Sequence, residues 1–301
     1  MHAEANPHPK PDISFCITCK NRLHHLKQTL PQNIANNTHP DGSGPVVQFV
    51  VVDYDSEDGM EQWIKDHYRK EIDSGLMKYV KLAHPAKFDM SHAKNVAHRM
   101  ADGTVLCNLD ADNITASGFA DWLQQQFSGY ASRNVDICIR PNVRISALHK
   151  FTKGEISGVN GRIAVSRKHF EAVHGYDETM STTRSEDSDF VGRLSAIGVK
   201  PHDLDFQMYG SVLQHGNDER TANMDTDQKA AVDALLAQGG DLTSRFRRFI
   251  RGSHYDVGDK NPVANPDGHC GCAEVYVNFS KTPYTIPPLP PQVEKAAGRG
   301  V

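Results

Sequence analysis

Thr104-Val105-Leu106-Cys107-Asn108-Leu109-Asp110-Ala111-Asp112-Asn113 is the stretch on which the reading of this chain turns. Thr104 to Leu109 has the near-continuous apolar character of a strand covered on both faces, and it stops at two acids one residue apart. Carboxylates at that spacing in a tight turn can reach a single divalent ion, and hard oxygen ligands suit Mg2+ or Mn2+ held against a diphosphate. An Asp-X-Asp by itself is commonly a solvated turn; its place at the end of a buried strand is what gives it weight. Working outward, the same design recurs. Val46 to Val52 runs into Asp53-Tyr54-Asp55-Ser56, and Asp12 to Cys19 runs into Lys20-Asn21-Arg22.

Helical spacing fills the intervals. Leu23, Leu26 and Leu30 follow the first strand and Met60 to Tyr68 follows the second. A short strand, Tyr79 to Leu82, precedes a helix that Ser91 is placed to cap, with Ala93, Val96, Ala97 and Met100 at i, i+3, i+4 and i+7 and Asp102-Gly103 at its end. Next come a strand-like Val135 to Ile145 and a Gly-bearing Ser157 to Val165. A helix capped by Ser166 follows, with Phe170 and Val173 inward and Gly175 as its stop. Another helix begins near Ser185 with Phe190, Val191, Leu194 and Ile197 as its inward stripe. This alternation predicts an α/β, Rossmann-like, mainly parallel twisted sheet flanked by helices, and such sheets bind ligands beyond the carboxyl ends of their strands. After His215 the periodicity weakens into an irregular C-terminal extension: a helix around Asp227 to Gln238, a basic Arg245 to Arg251, and a Pro-rich tail after Thr282.

The 301 residues are 38% hydrophobic and 23% charged, with a formal net charge of −4. That supports a sizeable core and shows no basic excess, so nucleic acid is not an expected partner. The polar start of the chain does not resemble a signal peptide and no window approaches a membrane span, so a cytoplasmic protein is expected. Arg245 to Arg251 could rest as a short amphipathic helix on an anionic membrane surface, a peripheral contact; packing through Phe246, Phe249 and Ile250 is the plainer reading. Four of the six cysteines sit in strand-like runs, where Cys acts as a small hydrophobe, and no disulfide framework is expected. Alternation puts Cys16 and Cys19 on opposite strand faces, against a redox pair. His269, Cys270 and Cys272, with His254, could make a zinc site, but no second Cys pair accompanies them.

A second acidic cluster, Glu186-Asp187, follows Ser185 at a helix start. Acids in a first turn often only complement the helix dipole. The functional alternative is that Asp187, held ionised there, is a general base for an incoming hydroxyl.

Several ordered motifs together carry a resemblance. Asn21-Arg22-Leu23-His24-His25-Leu26-Lys27, Asp53, His92-Ala93-Lys94 and Leu109-Asp110-Ala111-Asp112 resemble the nucleotide-binding half of family-two GT-A glycosyltransferases. Gly161-Arg162-Ile163-Ala164-Val165-Ser166-Arg167-Lys168-His169-Phe170, His174-Gly175-Tyr176 and Ser185-Glu186-Asp187-Ser188-Asp189-Phe190 are similar to the carboxyl-terminal motif of β-1,4-galactosyltransferases. The resemblance spans about residues 12 to 215. It implies Thr18, Lys20 and Arg22 beside the nucleotide of a sugar donor, Asp53 at its base, and His92 near base or diphosphate. It further implies Mn2+ or Mg2+ on Asp110, Asp112 and His215, with Asp110 also at the donor, and Asp187 as base with Glu186 beside it. The implied reaction is an inverting transfer from a nucleotide-sugar, UDP being favoured, to a hydroxyl of a carbohydrate or glycoconjugate acceptor. Three departures bear on donor and sugar: Asp53-Tyr54 replaces two adjacent acids, Thr182-Thr183-Arg184-Ser185 replaces a Trp- and Gly-bearing segment, and His92 stands where Arg is common.

On this reading residues 1–11 form a flexible N-terminus, 12–215 the GT-A catalytic domain and 216–301 the extension. Within the domain, 12–113 is the nucleotide-binding half and 114–215 the acceptor half. A sugar nucleotidyltransferase would need a Gly-rich basic loop after the first strand, and Cys19-Lys20-Asn21-Arg22 has no Gly. A non-catalytic GT-A-like carbohydrate-binding module would have no need of Asp110, Asp112 and Asp187.

Overall fold

The structure, a computed structural model, describes residues 8–85, 87–142, 161–180, 186–215, 219, 222–224, 226, 229–230 and 262–290. Its centre is four parallel strands, Ile13–Cys19 (β1), Val47–Asp53 (β2), Met77–Leu82 (β3) and Val105–Asp110 (β4), in the order β3-β2-β1-β4. Beyond β4 lie Ile137–Arg140 (β6), Ala164–Ser166 (β7) and Lys200–Asp203 (β8), in the order β4-β7-β6-β8 with β7 antiparallel to both neighbours. A separate ribbon pairs Asn113–Ile114 (β5) with Ser211–Val212 (β9). The other edge is finished by Glu274–Val277 (β10), antiparallel to β3, and Tyr284–Thr285 (β11). These last two strands come from the stretch whose pattern promised only an irregular extension. Each is too short for a period-two signal to stand out.

Strands covered on both faces explain the apolar runs. Ile13, Phe15, Ile17 and Val51 pack on one side with Leu26 and Leu30 of Leu23–Asn37 (α1), Ile64 of Met60–His67 (α2), Ile72 of Arg69–Asp73 (α3) and Leu123 of Phe119–Ala131 (α5). Cys16, Val50, Val52 and Leu106 pack on the other with Val96 and Ala97 of Met90–Met100 (α4), Phe170 of Arg167–Ala172 (α6) and Phe190 of Glu186–Ala196 (α7). Cys16 and Cys19 fall in opposite layers, so alternation was a sound argument against a redox pair.

Some local expectations differ. Asp89, not Ser91, caps α4 by accepting the His92 amide at 2.9 Å, while the Ser91 hydroxyl is buried inside the helix. Ser166 holds the N-cap position of α6 but turns its hydroxyl to His169 Nδ1 at 2.6 Å. Ile197 is exposed because α7 ends at Ala196 and Gly198, at φ +91°, turns the chain away. Ser185, most of the helix expected around Asp227 to Gln238, Arg245 to Arg251, His254 and most of residues 1–11 lie outside the described residues.

Candidate active site

Strand register makes one edge of the sheet chemical. Cys19 is level with Asp53 and Thr18 with Asp110, so the loops after β1, β2 and β4 leave the sheet side by side at its carboxyl end. The β5/β9 ribbon then folds a distant segment onto that edge. The Leu213 amide donates to the Asp112 carbonyl at 2.9 Å, and two residues on, His215 Nε2 stands 3.0 Å from Asp112 Oδ2. Arg22 Nη1 lies 3.4 Å from the same nitrogen, and Asn113 Nδ2 donates to Asp112 Oδ1 at 2.8 Å. The structure thus brings Asp110, Asp112, His215 and Arg22 together.

On the far side of Asp110 lies a second group. Lys94 of α4 is almost fully buried and donates to Asp187 Oδ1 at 2.7 Å and Glu186 Oε1 at 3.0 Å. Burial pushes the Asp187 carboxyl up to about 6; Lys94 opposes this, and Glu186 and Asp110 add to it. Desolvation and two like charges thus oppose the helix N-terminus, leaving Asp187 ionised for the most part at neutral pH but with a higher proton affinity than an ordinary carboxylate. Burial likewise raises Asp110, Lys94 opposing and Asp112 and Glu186 contributing. Asn108 Nδ2 donates to Asp110 Oδ1 at 3.1 Å.

Two residues expected at the donor are placed otherwise. Asp53 has no exposed surface: its Oδ1 accepts the Ser56 amide at 2.7 Å and its Oδ2 the Tyr79 hydroxyl at 2.6 Å. It anchors the turn after β2 with both carboxylate oxygens turned into the protein. His92 uses both ring nitrogens, Nδ1 with the Tyr54 hydroxyl at 2.9 Å and Nε2 with the Cys272 carbonyl at 3.1 Å, and so clamps the C-terminal segment to α4. Thr18 is buried at the end of β1, and Lys20 donates to the Asp55 carbonyl at 2.8 Å.

His269, Cys270 and Cys272 do not converge as a metal site among the described residues. Cys270 is a core thiol whose proton is held by burial, and His269 pairs outward with Asp267 at 2.9 Å. Ligand atoms of His24, His25 and Glu219 do gather within 4.8 Å. Arg22, donating to the Glu219 carbonyl at 2.7 Å, and the positive end of α1 disfavour a divalent ion there, so the Glu219 carboxylate is itself the fitting counter-charge.

Residues 14–186 match the family model described as Glycosyl transferase family 2. The chain belongs to that family. Its fold is GT-A-like, as in two solved relatives. Mannosyltransferase PcManGT from Pyrobaculum calidifontis, in complex with GDP-Man and Mn2+, superposes with a TM-score of 0.52 at 16% identity over 84% of each chain. Residues 1–349 of S. aureus TarS give 0.50 at 17% identity over 67% of this chain, which spans 60% of that one. A search among curated proteins returns no match.

Three residues of this family 2 chain lie inside the motifs quoted above but were given no role by them. Lys94 stands beside the apolar stripe of α4 and gave no signal of its two partners. Gly161 lies against the acid pair, where a Cβ would meet Asp110 Oδ2 at 2.9 Å. Arg162, buried behind the pair, donates to the Tyr209 carbonyl at 2.6 Å and Asn113 Oδ1 at 2.9 Å. Its charge is offset at longer range by Asp110 and Asp112.

Proposed function

We propose that the chain transfers a sugar, with inversion, from a UDP-sugar to a hydroxyl of a carbohydrate or glycoconjugate acceptor. One observation carries this reading: a carboxylate and imidazole set, Asp110, Asp112 and His215, shares the carboxyl edge of the sheet with a separate half-buried carboxylate, Asp187. The choice of uridine rests on the sequence resemblance alone.

The donor set fits a divalent cation. Adjacent ligands of an octahedral ion with bonds of about 2.1 Å stand about 3 Å apart, and Asp112 Oδ2 and His215 Nε2 are 3.0 Å apart. Bound by Asp110, Asp112 and His215, Mn2+ or Mg2+ would supply charge neutralisation for the departing diphosphate. Arg22, close to His215, adds a fixed positive charge on the same rim, and Lys20 reaches from the loop after β1 to the Asp55 carbonyl in the loop after β2. Asp187 accepts the acceptor proton as the new C–O bond forms, and attack opposite the leaving group inverts the anomeric carbon without an enzyme nucleophile. A carboxylate raised to about 6 is ionised for the most part at neutral pH yet more basic than an ordinary one.

The test is a nucleotide-sugar screen for Mn2+-dependent release of nucleoside diphosphate, with calorimetry of UDP and Mn2+ on two variants. Asp112→Asn should lose metal and donor binding. Asp187→Asn should keep them and lose about a hundred- to ten-thousand-fold in kcat. Full turnover in EDTA, or equal loss of UDP binding in both variants, refutes the reading.

A further inference from the structure

Lys94 does more than fill space. An ammonium at 2% exposure costs several kcal/mol unless paired, and it is paired twice, with Asp187 and Glu186. The face of the Tyr176 ring lies 5.1 Å from the same nitrogen and adds a cation–π contact. The helix that carries it is fixed in place. Asn95, the next residue, exchanges two bonds with the backbone of Tyr176, accepting its amide at 2.7 Å and donating to its carbonyl at 2.8 Å. His98 Nδ1 closes on the Lys94 carbonyl at 2.7 Å. The ammonium is thus delivered from a rigid backbone to one oxygen of Asp187, and among the described residues Asp187 Oδ2 accepts no bond.

We propose that Lys94 is the positioning residue of the base: it pins Asp187 through Oδ1, leaves Oδ2 to the acceptor hydroxyl, and acts on the proton transfer through Asp187. This rests on the transfer reading above. Lys94 touches neither reactant. A side chain free to rotate about χ1 and χ2 spends most of its time with neither oxygen aimed at the acceptor, and misplacement by about 1 Å can cost a hundredfold in rate.

The experiment is a double-mutant cycle on kcat with Lys94→Met, Asp187→Asn and the pair, with UDP and Mn2+ calorimetry on each. Lys94→Met should lower kcat by about ten- to a hundredfold and leave UDP affinity within about twofold. The pair should be no slower than Asp187→Asn alone, since the lysine's remaining influence, its charge near Asp110, is read in Mn2+ and UDP affinity and not in kcat at saturation. Lys94→Gln, which keeps a donor on a side chain one bond shorter, serves as a second variant should the methionine disturb folding, and it should recover part of the loss. Three results overturn the inference: a pair slower by the product of the single effects, an unchanged kcat in both lysine variants, or a loss of UDP binding as severe as in Asp112→Asn, which would make Lys94 a donor contact. Wild-type protein without turnover on any nucleotide-sugar would instead sink the transfer reading itself.

Discussion

His98 should make the fold acid-sensitive, and its share can be isolated. The imidazole is fully buried on α4, stacked on Phe170 with centroids 4.9 Å apart, with Nε2 unpartnered and Nδ1 on the Lys94 carbonyl. Burial drives its pKa down from 6.5 to about 3. Above pH 6.5 the ring is neutral in both the folded and unfolded states and contributes no pH dependence. As pH falls below 6.5 the unfolded chain takes up a proton that the folded chain refuses, so stability is lost at about 1.36 kcal/mol per unit until pH nears 3. From pH 7.5 down to 4.5 that amounts to about 2.7 kcal/mol. Asp187, raised to about 6 in the fold, works against this because its folded form binds the proton more readily over part of the same range. Total stability therefore hides the effect, and the difference between wild type and His98→Leu exposes it. Urea unfolding followed by circular dichroism at half-unit steps from pH 7.5 to 4.5 should show the variant gaining on wild type by about 2 to 3 kcal/mol across the window, whatever the constant offset from the lost bond. A difference that stays flat with pH would refute the reasoning.

Gly161→Ala places a methyl 2.9 Å from Asp110 Oδ2 and 3.3 Å from Oδ1, so the carboxylate must shift; calorimetry of UDP with Mn2+ should show affinity weakened by about tenfold, with unfolding by urea nearly unchanged. If Asp187 is the base as proposed, kcat at saturating donor should fall as pH drops through about 6, approaching tenfold per unit; a limb near 4 would mean that its burial has no part in catalysis.

Much of this fold was legible along the chain because its causes are local. Strands buried on both faces read as near-continuous apolar runs, as β1, β2 and β4 do with Ser14, Gln48 and Asn108 as buried polar exceptions, and the polar residues that end them mark the carboxyl edge of the sheet. Asp110 and Asp112 could be picked out because a strand and its turn are contiguous. His215 depends on the two-residue β5/β9 pairing, too short to read from a pattern, so sequence could place it near the acids only by resemblance. What decided the rest was the company each charge keeps in three dimensions. Asp53 has the expected position at the end of β2, yet Tyr79 on the neighbouring strand draws its carboxylate inward. Asp187 begins a helix as expected, yet the desolvation around it raises its proton affinity, with Lys94 opposing and Glu186 and Asp110 adding to it. Lys94 reads as an ordinary helical lysine, and only the packing of α4 against α7 buries it between two acids some ninety residues away. Sequence determined which groups the carboxyl edge would carry. Tertiary structure decided which of them meet, because desolvation and Coulomb energy depend on distance through space and on the water that packing removes, and neither quantity has a period along the chain.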